Sequence, residues 1–136
     1  MSDYQIYCDG GCKGNGTPQS QAYASYQLST RVGASEIVRL DLPDAKTNNQ
    51  AEYTALISAL TDLNERIEKA GKNPSDYSVE AYTDSQLLVG QLTLGWKVKT
   101  AELRPFVDEA RALIKVFGQC TLAKVPRQQI VKVLGH

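Results

Sequence analysis

The sequence predicts an α/β protein, a mixed five-stranded sheet flanked by helices in the order βββαβααβα. Three observations predict it. Short runs at residues 4–9, 22–28 and 36–40 read as strands joined by short connections, which suits an antiparallel meander. A longer run after Thr47 carries Leu56, Ile57, Leu60, Leu63 and Ile67 at helical spacing. Beyond it, strand and helix patterns alternate, and parallel crossovers covered by helices follow.

Residues 4–9 alternate, with Tyr4, Ile6 and Cys8 on one face and Gln5, Tyr7 and Asp9 on the other. The Gly, Asn, Pro and Ser of residues 10–21 mark a loop, and a turn around 31–34 separates the second and third strands. Residues 43–49 lead into the long helix, which Gly71 should cap. Asn73-Pro74 turns the chain into a fourth strand at 77–83. Residues 86–94 read as a helix ended by Gly95. A further helix is expected from 100 to 117, with Pro105 acceptable only near its start. Residues 120–125 make a fifth strand, and 126–134 a last short helix closed by Gly135.

The chain has 136 residues, enough for one domain (1–136) with a substantial core. Fifteen basic residues balance fifteen acidic ones, so attraction for a polyanion has to be local. Met1-Ser2-Asp3 lacks the basic start and apolar stretch of a signal peptide, and no apolar run reaches membrane-spanning length. Cys8, Cys12 and Cys120 are odd in number and lack metal-type spacing. Reduced thiols in a cytoplasmic protein, a monomer with no membrane partner, are the expectation.

Three acids stand at the ends of predicted core elements: Asp9 ends the first strand, Glu52 lies on the first turn of the long helix, and Asp84 follows the fourth strand. A carboxylate on a first helical turn is favoured by the helix dipole. Taken singly, each acid reads as a cap or a solvated turn. Taken together they suggest one site. Carboxylates that converge in a low-dielectric pocket repel one another unless they protonate or bind cations. Hard ions such as Mg²⁺ and Mn²⁺ take oxygen ligands of this kind and keep positions open for water and phosphate. Two such ions, roughly 3.5–4 Å apart, serve phosphodiester cleavage, with Asp9 as the natural bridge.

Four motifs then fall in register: Asp9-Gly10-Gly11-Cys12-Lys13-Gly14-Asn15-Gly16, Thr47-Asn48-Asn49-Gln50-Ala51-Glu52, Thr83-Asp84-Ser85-Gln86 and Gly95-Trp96-Lys97-Val98-Lys99. Their order and spacing resemble type 1 ribonuclease H from residue 4 to about residue 127. The resemblance implies the ribonuclease H fold, with strand order 3-2-1-4-5. It also implies cleavage of the RNA strand of RNA–DNA hybrids and two Mg²⁺ or Mn²⁺ ions held by Asp9, Glu52 and Asp84. Reading RNA requires groups that meet 2′-hydroxyls in the wide minor groove. The backbone of Gly10, Gly11 and Cys12, with glycine permitting close approach of a ribose, and the amides of Asn48, Asn49 and Gln86 suit that task. Asn15 and Thr47 match positions that hold a DNA phosphate. Trp96 would lie under the DNA sugars, with Lys97 and Lys99 on phosphates. The alternatives are core packing for Trp96 and solvated surface charge for the lysines.

Two features depart from the family pattern. The chain passes from Trp96-Lys97-Val98-Lys99 almost directly into residues 100–105, so the strongly basic extra helix that some members carry is missing. Weaker, salt-sensitive binding is expected. The family's last helix also supplies a fourth acid in a pattern like Val-Pro-Arg-x-x-Asn-x-x-Ala-Asp, and the matching position here is Leu134. His136 is the nearby candidate ligand, through its imidazole or a terminal carboxylate, and the alternative is a frayed end. An imidazole in place of a carboxylate would shift preference towards Mn²⁺. Arg127 either orients the phosphate or is simply exposed. Against hybrid cleavage stand two other readings, a catalytically weak hybrid-binding module and a DNA-cutting nuclease of the same fold.

Overall fold

The computed structural model describes residues 2–13, 21–45 and 47–135. Strand β1 (Tyr4–Lys13) lies at the centre of the sheet. It pairs antiparallel with β2 (Gln21–Thr30) and parallel with β5 (Ser78–Thr83), and β5 pairs parallel with β6 (Gln119–Lys124). The far edge of β2 takes β3 (Gly33–Ala34) and β4 (Val38–Leu42). An antiparallel half therefore adjoins a parallel half, as the element order predicts.

The third expected strand, residues 36–40, forms as β4 two residues later, and the turn expected at 31–34 holds the short β3, giving six strands among the described residues. Ser35 is the reason. Its backbone N–H donates to the Leu28 carbonyl at 2.7 Å, while its hydroxyl accepts from the Leu28 N–H at 3.1 Å. One residue thus uses both main-chain groups of Leu28, and the chain bulges before pairing resumes at Val38 opposite Tyr26.

Helix α1 (Asn48–Lys69) covers one face of the sheet. Thr47 caps it by accepting from Gln50 N–H at 3.1 Å, and Gly71, at φ +74°, turns the chain away after its end. Ala51, Ala55 and Ala59 are fully buried, and such small side chains let the helix approach the sheet closely. Leu56, Leu60 and Leu63 fill the core beside them, each buried leucine contributing about 1.5–3 kcal/mol.

Helix α2 (Gln86–Thr93) is capped by the Ser85 hydroxyl, which accepts from Leu88 N–H. A short 3-10 turn at Ala101–Leu103 precedes α3 (Arg104–Ile114), so the helix expected from residue 100 starts later and ends earlier. Pro105 falls in its first turn, where its missing N–H costs nothing. Helix α4 (Arg127–Leu134) crosses β1 and β2, with Ile130 and Leu134 fully buried and Gly135 closing it at φ +82°.

Candidate active site

The parallel register of β1 and β5 sets Tyr7 beside Tyr82, and their rings stack with centroids 4.9 Å apart. Both chains run on in the same direction, so Asp9 and Asp84 emerge together. Asp9 is 3% exposed on the central strand. Asp84 sits between buried Thr83, whose hydroxyl accepts from Ser85 N–H at 3.1 Å, and the cap of α2.

Glu52 comes from α1, and its placement differs from the expectation. The first turn of α1 holds no acid, and Glu52 lies in the second turn, one step further from the dipole's positive end. Burial pushes its carboxyl up to about 7, with the negative charges of Asp84 and Asp9 adding to the rise. A hydrogen bond from Ser85 and the charge of Arg127 oppose the shift without cancelling it. Its Oε2 is buried and has no hydrogen-bond partner.

Helix α1 approaches β1 so closely that glycine is required. A Cβ on Gly10 would lie 2.3 Å from the Ala51 carbonyl and 2.5 Å from Glu52 N. Gly10 is itself buried, and packing against α1 by itself requires a glycine here. A Cβ on Gly11 would meet the ring of Tyr23 at 2.6 Å.

Arg127, from the first turn of α4, joins the acids. Its Nη1 lies 2.9 Å from Asp9 Oδ2 and 3.2 Å from Asp84 Oδ2. Hydrogen bonding to Asp9 is the main reason its own proton is held more tightly than usual. Tyr23 of β2 also belongs here, since it feels the charges of Asp9 and Asp84 and hydrogen-bonds with Arg127. Sequence reasoning missed Tyr23 and the ion pairs of Arg127. Only the position of Arg127 opening the last helix offered a signal.

The donor chemistry suits a hard cation, because the side chains are carboxylates and one buried Glu52 oxygen lacks a hydrogen-bond partner. Even so, no group of three acid, histidine or cysteine side chains among the described residues is arranged to hold an ion. Arg127 supplies one positive charge, paired with Asp9 and Asp84.

The expected substrate groups fall into two sets. Asn48 Oδ1 accepts from Cys12 N–H at 2.7 Å, binding the loop after Asp9 to the start of α1. Asn49, Trp96, Lys97 and Lys99 line one groove of about 550 Å³, together with Leu87. Gln86 is exposed in the first turn of α2. Trp96 is 40% exposed, with its indole packed on Gly90, so it divides between the packing and surface readings. Thr47 spends its hydroxyl oxygen on the helix cap. Asn15 and His136 lie outside the described residues.

A family model described as RNase H matches residues 1–136. The chain belongs to the ribonuclease H family. Ribonuclease HI of Halobacterium salinarum is 36% identical over 121 residues, covering 89% of this chain and 55% of that protein. Ribonuclease H of Cupriavidus necator is 35% identical over 111 residues, covering 77% and 66% respectively. The chain thus spans between about half and two thirds of these relatives' length. Among solved structures, RNase H1 from Halobacterium salinarum superposes with a TM-score of 0.75 at 32% identity, covering 93% of this chain and 88% of that one. LC11-RNase H1 in complex with an RNA/DNA hybrid gives 0.80 at 27% identity, covering 95% and 89%.

The ribonuclease H fold is therefore the fold of this chain. Against the family pattern, the fourth-acid position is Leu134, the fully buried last residue of α4. Arg39 Nη2 donates to its carbonyl at 2.9 Å, so the end of this ribonuclease H helix is fixed by a cation and by apolar packing.

Proposed function

We propose that this chain is an endonuclease that hydrolyses the RNA strand of RNA–DNA hybrids, acting as a single, monomeric, cytoplasmic domain. One observation carries the reading: Asp9, Glu52 and Asp84 are electrostatically coupled around a buried Glu52 oxygen with no hydrogen-bond partner. Structural ion-pair networks satisfy their acids, whereas an acid left costly and unpartnered marks a place where a ligand completes the site. That relatives are named ribonuclease H, and that one neighbour is a complex with an RNA/DNA hybrid, supports the substrate.

Asp9, Glu52 and Asp84 would hold two divalent ions, Mg²⁺ or Mn²⁺, and His136 would complete one of them in place of the family's fourth acid. Such ions supply charge neutralisation at the phosphate and an acidified water. The chain's own residues do the rest. Gly11, Cys12, Asn48, Asn49 and Gln86 offer donors and acceptors to ribose hydroxyls, and Gly10 sets the spacing between strand and helix. Asn15, Thr47, Lys97, Lys99 and Trp96 receive the DNA strand. Arg127, bound to Asp9 and Asp84, would orient the scissile phosphate. The three free thiols suit a reducing compartment. No helix among the described residues is long and apolar enough to cross a membrane.

The test is cleavage of a labelled hybrid by the chain and by Asp9→Asn, with duplex DNA as control. Intact cutting by Asp9→Asn would overturn the assignment. The buried Leu134 favours a second reading, a hybrid-binding module with little cleavage. Binding in EDTA without cutting in Mn²⁺ would support that alternative. For His136, equal activity of His136→Ala in Mg²⁺ and Mn²⁺, at the level of the parent, would remove the imidazole from the site.

A further inference from the structure

We infer that Gln91 is a positioning residue that holds the Trp96–Lys99 segment in place and ties it to the helix carrying Glu52. The inference rests on the reading of that segment as the seat of the hybrid's DNA strand.

The segment needs such a support. Residues 95–100 form no helix or strand, and Gly95 takes φ +70° as the chain leaves α2. A loop without ladder hydrogen bonds is ordinarily mobile. Lysines that meet phosphates give affinity only if little freedom is lost on binding. Two adjacent residues of α2 supply the order. The carbonyl of Gly90 accepts from Trp96 N–H at 3.1 Å, and the indole lies where a Gly90 Cβ would come within 2.1 Å of it. The side chain of Gln91 then reaches the next residue: its Nε2 donates to the Lys97 carbonyl at 3.5 Å.

The other end of the amide reaches α1, the helix that carries Glu52. Gln91 Oε1 accepts from the Tyr53 hydroxyl at 2.7 Å, and Tyr53 directly follows Glu52 on α1. Gln91 is 3% exposed, and its main-chain carbonyl accepts from Arg111 Nη2 of α3 at 3.0 Å. A buried amide is costly unless both of its ends are satisfied. Few side chains can accept from a phenol and donate to a carbonyl at once, and glutamine is one. Leucine or methionine would fill the space with neither bond. A simple core role explains burial and the Tyr53 bond, but it gives no reason for the donor end to point at a surface loop.

The experiment compares Gln91→Met, Tyr53→Phe and the double variant with the parent. Removing Gln91 alone orphans the Tyr53 hydroxyl and lowers Tm. Removing both partners should restore most of the stability, because matched apolar replacements are close to neutral. Positioning predicts that KM for hybrid stays raised about tenfold in both Gln91 variants, with kcat within about twofold of the parent. Acrylamide quenching of Trp96, the single tryptophan, should rise in the same two variants without any substrate present. If KM and quenching recover with Tm in the double variant, Gln91 is merely structural and the inference is wrong. A parent protein that fails to bind or cut hybrid sinks the functional reading instead, and the quenching result still decides whether Gln91 orders the loop.

Discussion

Arg127 Nη1 lies 2.9 Å from Asp9 Oδ2, an ion pair that joins the last helix to the central strand. Arg127 is half exposed and Asp9 nearly fully buried, so the strength of the pair falls between that of a solvated contact and that of an interior one. In EDTA, Arg127→Ala should lose about 1–2 kcal/mol of stability, since Asp9 keeps its charge and loses its counterion. Adding Mn²⁺ should then raise Tm more in the variant than in the parent. Equal Tm shifts on adding metal would show that the guanidinium does not neutralise the acids.

Glu52 gives the pH dependence. Its folded value of about 7 stands above the ordinary carboxylate value, so the folded state holds its proton more tightly than the unfolded one. Its stabilising contribution is complete below about pH 4.5 and is lost as pH rises through about 7. In metal-free protein, Glu52→Gln should match the parent near pH 4.5 and exceed its stability by up to about 3 kcal/mol at pH 8, and with metal added the variant should not cleave. Urea unfolding at the two pH values measures this. A difference that does not change with pH contradicts it.

Gly10→Ala should cost about 3 kcal/mol, because the new methyl can be housed only by moving α1. Cleavage should fall further than the loss of folded protein explains, since the displaced backbone carries Glu52. Circular dichroism and activity measured on the same samples separate the two losses. Proportionate losses would show that the strand–helix spacing matters for folding alone.

Lys97→Ala and Lys99→Ala should each weaken hybrid binding. Each should also reduce the slope of log affinity against log salt by about one, as expected when a phosphate contact is removed. A catalytically silent Asp9→Asn background allows the titration. An unchanged slope would assign the lysines to ordinary solvated surface.

Much of this was legible in sequence because the acids punctuate regular elements. Asp9 and Asp84 close alternating runs in the sequence, although β1 continues past Asp9 to Lys13, and Glu52 stands near the start of a helix whose leucines recur at helical spacing, so periodicity located all three. What stayed hidden depends on distant partners. Arg127 precedes no local signal that it will meet Asp9, and Tyr23 looks like any strand tyrosine until Gly11 lies beneath it. The Ser35 bulge was equally invisible, because a serine in a turn gives no sign that it will take both main-chain groups of Leu28. Gly10 was legible only as a candidate ribose contact, and the packed helix adds that α1 also needs the room.

The parallel pairing of β1 with β5 has a consequence for how the molecule comes to be active. The β1–β2 hairpin closes locally, but Asp9 meets Asp84 only after β5, much later in the chain, docks alongside β1. Closing such a long loop is a slow, late event in folding. A chain in which only the hairpin and first helix have formed lacks the pairing that brings Asp9 beside Asp84, so the proposed site is completed only when β5 docks.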